Sequence, residues 1–251
     1  MLKFIGNGSA FNTVNGNNSA YYKEESSLFM IDCGSDVFKK VVKSDLLDGV
    51  DNIHILITHS HADHTGSLAD LILYSYFSME ERFKIKINVY SIGATKVREL
   101  LSLMGVTENH YNYTPVRHTH EIKLKEFEDL TILDVHKNKH VKEIFSFGYT
   151  LKLNDNVIYY SGDTSDLSDE IVEDIEKGNI DIAYVDTCEL DYEGNVHLSS
   201  RKLKELIKEE YRDKVWCMHL DTGFNVKDME ESGFNVTESD PELRSGELWI
   251  Y

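Results

Sequence analysis

Residues 58–64 read THSHADH, which places His59, His61, Asp63 and His64 directly after the run Ile53–Ile57. Neutral imidazoles that converge are good ligands for a borderline metal such as zinc, and a carboxylate adds the charge a divalent cation needs. In a strand, residues i and i+2 share a face. The spacing therefore predicts that His59 and His61, at the C-terminal end of a strand, point the same way. Asp63 and His64 follow in a turn before a helix that begins near Ser67, and approach the same space from the loop side. Two ligand sets from one short segment suggest two adjacent metal positions. Four such side chains at the mouth of an apolar strand would repel or stay unsatisfied without a cation. The other H-x-H, His118 and His120, has no adjacent carboxylate, sits in a polar stretch, and is read as non-functional.

The elements that must position these residues alternate along the chain. LKFIGNGSAF and SSLFMIDCG read as strands, the second ending at Gly34. SDVFKKVVKSDLLDG has helical spacing, with Val37, Val41, Val42 and Leu46 on one face and Ser35 as N-cap. NIHILITH reads as a strand of β-branched residues, TGSLADLILYSYF as a helix, IKINVYSI as a strand and ATKVRELLSLMG as a helix with a glycine stop. EIKLKEFEDLTILDVH gives two antiparallel strands, and FGYTLKL with NVIYYSGD a hairpin around residues 154–156. Helix SDEIVEDIEKG, strand DIAYVDT, helix SSRKLKELIKEEY and strand KVWCMHL follow. Strands and helices alternate in both halves, which is the pattern of an α/β chain with helix-covered sheets.

Composition narrows the functional classes. The 251 residues carry a formal charge of −18, which repels phosphate polymers and lowers the expectation of a long nucleic-acid footprint. No apolar run reaches the ~20 residues of a membrane span. The N-terminus lacks the apolar region of a signal peptide, and Cys33, Cys188 and Cys217 are odd in number and far apart. Together these predict a cytoplasmic protein without a disulfide framework. The cysteines lie in apolar strands or at strand ends and read as buried small hydrophobes, not ligands. No repeat or linker divides residues 1–251, which are read as a single domain.

THSHADH resembles the signature of the metallo-β-lactamase superfamily, and four further segments match in order. MIDCG resembles the early strand ending in Asp-x-Gly; His136–Gly148 resembles the piece that supplies another metal histidine. YYSGDT resembles the G-D-T motif, and WCMHL the late strand that ends in the last metal histidine. The resemblance spans nearly the whole chain. It implies a four-layer αββα sandwich, the metallo-β-lactamase fold, with the site along one edge where two sheets meet.

Carried over residue by residue, the resemblance implies two divalent ions, zinc with manganese or iron as alternatives. His59, His61 and a third histidine would hold the first, Asp63, His64 and His219 the second, and Asp163 would bridge them. KNKH and DVH each offer a third histidine; His140 is preferred to His136 because it lies nearer the Ser146–Tyr149 segment. Asp32 has no liganding role in the pattern and is expected to orient a ligand or tie the loop down. Asp63 is counted as catalytic as well as liganding. His197, in EGNVHLSS, resembles a histidine that helps protonate the leaving oxygen or stabilise the phosphate in the RNase Z-like phosphodiesterase branch; the plainer alternative is a capping or surface residue.

Two metals about 3.5–4 Å apart lower the pKa of a bound water to about 7 and take up charge that develops in the transition state. The opening segment, SFGY and GDT resemble the phosphodiesterase branch. The short hairpin between His140 and Asp163 leaves no room for the RNA-binding arm of RNase Z. A small-molecule phosphodiester, a cyclic nucleotide or phosphate ester, is therefore the expected substrate. A carbonyl hydrolase of lactonase or thioesterase type, an RNase Z-like endoribonuclease and a non-catalytic metal module are the alternatives. Many relatives being dimers, the resemblance also admits a homodimer. Tyr111, Tyr113, Arg117 and the segment after Gly223 are candidates for pocket walls.

Overall fold

The computed structural model describes residues 1–78 and 85–243. The chain divides into two compact units, one formed by Met1–Ser91, Lys96–Pro115 and Glu238–Tyr251, the other by Ile92–Thr95 and Val116–Thr237.

In the first unit the described strands are β1 (Lys3–Gly6), β2 (Ser19–Glu24), β3 (Ser27–Ile31), β4 (Asn52–Leu56), β5 (Lys86–Ile92) and β6 (Asn112–Val116). They lie side by side in sequence order. β1, β2 and β3 pair antiparallel, whereas β3, β4 and β5 pair parallel. β3 is buried along its whole length, which explains why SLFMI reads as a continuous apolar run rather than an alternating one. Leu28 and Met30, Ile53, Ile55 and Ile57, and Ile87 and Val89 repeat every second residue into one core cluster. Helix α1 (Val37–Lys43) adds Val37 and Val41, and helix α3 (Leu68–Phe77) adds Leu68, Leu71 and Ile72. Each such side chain contributes roughly 1.5–3 kcal/mol on burial. A four-residue helix, α2 (Ala62–Thr65), precedes α3, and α4 spans Val97–Leu103.

In this unit two helices differ from the sequence reading; in the second unit the helix read over SSRKLKELIKEEY ends at Leu206, and Glu209–Lys214 forms a separate 3-10 turn. α1 stops at Lys43, where Ser44 turns extended and its hydroxyl caps a separate short turn at Asp45–Leu47. The helix expected near Ser67 is preceded by α2, so Asp63 and His64 are helical residues rather than turn residues. Tyr111 is buried in the core, Tyr113 bonds Ser91, and Arg117 is exposed.

The second unit holds β7 (Ile122–Lys123), β8 (Leu130–Lys137), β9 (Phe147–Leu153), β10 (Asn156–Tyr160), β11 (Ile182–Asp186), β12 (Val215–Met218) and β13 (Asn235–Val236). Their order across the sheet is β13-β12-β11-β10-β9-β8-β7. β9 and β10 form the expected hairpin, with Leu153 opposite Asn156 and Asn154 at φ +54° in the turn. β10, β11 and β12 run parallel, so their C-terminal ends fall on one edge. Helix α5 (Asp169–Lys177) is capped by Ser168 and stopped by Gly178 in the left-handed conformation. Ser199 caps α6 (Ser200–Leu206), and α7 spans Val226–Glu231. Ile171, Ile175, Leu203, Val215 and Cys217 are among the residues of this unit's core. No helix among the described residues is long and apolar enough to cross a membrane.

Candidate functional site

The first set of ligand-type residues lies behind β4 and β3. β4 ends at Leu56, so His59 and His61 sit beyond the strand, not at its last residues. They converge nonetheless, because His61 stays extended (φ −63°, ψ 155°) as the residue before α2. His59 Nε2 and His61 Nδ1 are 3.0 Å apart. Helix α2 turns Asp63 and His64 back toward them: the His59 and His64 rings are 4.0 Å apart at their centroids, and His64 Nε2 is 3.2 Å from Asp63 Oδ2. His59, Asp63 and His64 are buried and His61 is partly exposed.

Asp32 organises this set. It is fully buried just after β3, with φ +65°. Oδ1 accepts from the Thr58 backbone N–H at 2.8 Å, and Oδ2 accepts from the Thr58 hydroxyl at 2.8 Å and from His64 Nδ1 at 2.7 Å. Burial pushes the Asp32 carboxyl above its ordinary pKa, and the bonds from His64 and Thr58 offset only part of that. A proton fixed on His64 Nδ1 leaves the lone pair of Nε2 available. Gly34 explains the tight approach of the two segments. A Cβ there would lie 2.1 Å from the Asp63 carbonyl oxygen and 2.6 Å from Asn17 Cβ, so only glycine fits.

The second set lies at the C-terminal ends of β8, β10, β11 and β12. Ligand atoms of Asp163, Asp186, His197 and His219 all lie within 4.8 Å of one another. His219 Nε2 is 3.5 Å from Asp163 Oδ1, and His140 Nε2 is 3.7 Å from Asp163 Oδ2. His140 Nδ1 bonds the Val196 carbonyl at 3.1 Å, which turns Nε2 toward Asp163. His136 lies elsewhere: its Nε2 bonds Thr150 Oγ1 at 2.8 Å within the β8–β9 pairing, and burial holds its imidazole below the ordinary value. His118 and His120 are exposed, with His118 3.8 Å from Asp134.

Asp186 was not among the residues singled out from the sequence, and it is the counterpart of Asp32. It is fully buried at the end of β11 and accepts from His197 Nδ1 at 2.8 Å, His219 Nδ1 at 3.2 Å and the Thr164 N–H at 2.9 Å. Burial would raise its carboxyl, but His197 and His219 outweigh burial and hold it below the ordinary value. Burial likewise disfavours a charged His197, yet Asp186 prevails and raises its pKa. A signal was present in the sequence: YVDT ends an apolar strand in aspartate, as MIDCG does. Asn138 and Ser146 were also missed. Asn138 Nδ2 bonds the carbonyls of Ser161 and Asp163, and Ser146 Oγ the Asp163 carbonyl, lashing the segments that carry His140 and Asp163 together.

Each set is made of imidazole and carboxylate groups, which fits zinc, manganese or iron. The three cysteines do not compete as ligands. All are buried free thiols whose pKa values burial pushes up to about 12, so none offers a thiolate at neutral pH.

Known proteins match this arrangement along nearly its whole length. The family model described as Anti-Pycsar protein Apyc1 matches residues 1–239. A protein of that name from Bacillus phage BSP38 is 28% identical over 242 residues, covering 90% of each chain. One from Paenibacillus harenae is 27% identical over 229 residues, covering 87% of this chain and 88% of its own. Among solved structures, the metallo-β-lactamase fold protein YhfI of Bacillus subtilis superposes with a TM-score of 0.74 at 16% identity, covering 95% of both chains. A diphosphatase of the PhnP family gives 0.72 at 16% identity, over 95% of this chain and 94% of that one. The human short form of tRNase Z gives 0.65 at 18%, over 95% and 96%. The chain therefore has the metallo-β-lactamase fold implied by its sequence motifs.

Proposed function

From the premise that the chain belongs to the Anti-Pycsar protein Apyc1 family, we propose that it is a dinuclear metal-dependent phosphodiesterase that hydrolyses a small phosphodiester such as a cyclic nucleotide. Residues 1–251 act as one functional domain. His59, His61 and His140 would hold one ion, Asp63, His64 and His219 the other, and Asp163 would be shared between them. The observation that supports this most directly is the repeated device behind both sets. A fully buried aspartate, Asp32 or Asp186, accepts a hydrogen bond from Nδ1 of a ligand-type histidine and leaves its Nε2 for a metal.

Two divalent cations held there, zinc in the first instance, would supply an activated water at neutral pH and offset charge that develops on the phosphoryl oxygens. The protein's own contribution is orientation and proton delivery. Asp63, beside His64, positions the attacking water as well as a cation. His197 keeps a proton on Nδ1 through Asp186, which outweighs burial and holds the ring above its ordinary pKa, favouring the protonated form. Nε2 then gives its proton to the leaving oxygen as the phosphorus–oxygen bond breaks. The same proposal places the protein in the cytoplasm, a reading that its free, buried cysteines support.

Purified protein supplied with zinc or manganese should cleave bis(p-nitrophenyl) phosphate and nucleoside 3′,5′-cyclic phosphates, and His64→Ala should abolish both activities. A wild-type protein that loads two metals yet leaves every phosphodiester intact would defeat the proposal. Lactone turnover without phosphodiester turnover would select the carbonyl-hydrolase alternative.

A further inference from the structure

The connection between β1 and β2 combines three properties that no metal-holding role explains. Residues 4–22 contain no Asp, Glu, Lys or Arg, in a chain that is 28% charged with a net charge of −18. An anion can approach this segment without the repulsion it meets over most of the surface. The loop is also tightly organised. Gly8 N–H bonds the Gly16 carbonyl at 2.8 Å, Gly16 N–H the Asn12 carbonyl at 3.0 Å, and Asn12 N–H the Ser9 carbonyl at 3.0 Å. Lys40 Nζ holds the Asn15 carbonyl at 3.3 Å, and Asn17 N–H bonds Asp36 Oδ1 at 3.0 Å. Gly16, at φ +70°, is fixed by the same pair: a Cβ there would collide with Lys40 Nζ and Asp36 Oδ2.

On this braced loop Phe11 is 91% exposed and Val14 is 86% exposed. A single exposed apolar residue needs no explanation. An aromatic and a valine held out on a hydrogen-bonded loop are different, because the order that keeps them exposed is already built in before any ligand arrives. A ligand that covers Phe11 therefore meets a low ordering cost. The loop also reaches the first ligand set. The side chain of Asn17 abuts Gly34, and Gly34 abuts the main chain of Asp63. Because Asn12 closes onto Gly16 by one hydrogen bond, Phe11 stands within about 13 Å of Asn17 by chain geometry. That reach suits a nucleoside phosphate whose phosphate lies at the first ligand set.

We propose that Phe11 is a specificity-determining residue: its ring stacks on the planar base of a nucleoside phosphodiester, while the charge-free loop admits the phosphate. The inference rests on the phosphodiesterase reading above and extends it to the organic part of the substrate. It is tested with the zinc-loaded protein on two substrates, a nucleoside 3′,5′-cyclic phosphate and 1-O-methylribose 3′,5′-cyclic phosphate, which lacks the base. Phe11→Ala should raise KM for the nucleotide roughly five- to 150-fold, the range expected of base–aromatic stacking. Its kcat should stay within about twofold, and KM for the base-free analogue should not move. Phe11→Trp should restore the nucleotide KM. An unchanged KM, an equal rise on both substrates, or a change of mass by light scattering without a KM split overturns the proposal. Should the wild type hydrolyse neither compound, the phosphodiesterase reading fails by itself. Calorimetric binding of the nucleotide then decides Phe11: no binding, or equal Kd in wild type and Phe11→Ala, overturns it.

Discussion

Replacing Asp32 with asparagine changes one oxygen into an amide group and leaves volume and backbone almost untouched. Asparagine, like aspartate, tolerates the left-handed φ of +65° found there, so the substitution isolates hydrogen bonding. Asp32 is acceptor to three donors: the Thr58 N–H, the Thr58 hydroxyl and His64 Nδ1. An amide has one acceptor end. If its NH2 takes the Oδ1 position, the Thr58 N–H faces a donor. If it takes the Oδ2 position, the hydroxyl can rotate, but His64 must surrender its Nδ1 proton and carry it on Nε2. The first outcome leaves a buried donor unpaired at about 1–3 kcal/mol. The second removes the liganding nitrogen, and loss of such a partner lowers metal affinity roughly 10–100-fold. For a chain of this size a melting temperature moves about 2–4 °C per kcal/mol. Asp32→Asn is therefore expected to melt roughly 2–12 °C lower in chelator, or to need roughly 10–100-fold more free zinc for half-saturation, or both. Thermal melts in chelator and zinc titrations against a competing chelator measure the two directly. An Asp32→Asn protein matching wild type in both would refute the claim that Asp32 fixes the His64 tautomer.

Three further outcomes follow from the same geometry. His140→Ala should lower the metal-to-protein ratio and abolish hydrolysis, whereas His136→Ala should keep its metals and lose about 1 kcal/mol for the Thr150 bond; elemental analysis after dialysis separates them, and equal losses would contradict the placement. His197→Ala should slow cleavage of an alkyl phosphodiester about 10²–10⁴-fold but affect p-nitrophenyl esters far less, since p-nitrophenolate leaves without a proton; a uniform loss would deny the acid role. Asp240 accepts from Tyr21 and the Glu242 N–H and lies 3.1 Å from Lys3, and these outweigh burial to hold its carboxyl below the ordinary value. A depressed pKa gives stability that is present above the unfolded value near 3.9 and lost as pH falls through the folded one. The melting-temperature gap between wild type and Asp240→Asn should therefore be full at neutral pH and close below about pH 4; a gap constant from pH 7 to 3 would show that Asp240 acts without its charge.

Much of this was legible in the chain. The apolar run SLFMI and the β-branched NIHIL read as strands and form them, and the segments read as helices after residues 167 and 198 are helices whose ends Ser168, Gly178 and Ser199 cap. The convergence of His59 and His61 was anticipated for the wrong local reason. Strand alternation suggested it, but the pairing ends at Leu56 and an extended residue at the mouth of α2 produces it. His140 and His136 were separable only by their distance from Ser146, because their partners, the Val196 carbonyl and Thr150, are set by tertiary folding. Thr58 and Asn138 could not be read at all. Each earns its role from groups more than twenty residues away, and threonine or asparagine near a loop ordinarily signals only a turn.

Asp32 and His219 share a left-handed backbone, at φ +65° and +58°, directly behind their strands. A non-glycine residue held there costs about 1 kcal/mol or more, which the buried hydrogen bonds of Asp32 and His219 offset. Glycine would relieve the strain but remove the acceptor of Thr58 and His64, or a donor to Asp186, at about 1–3 kcal/mol for each buried group left unmatched. Laboratory evolution that scores only thermal survival will therefore keep both residues, because at these two bends the side chain that orients a neighbouring group is also the one that stabilises the turn.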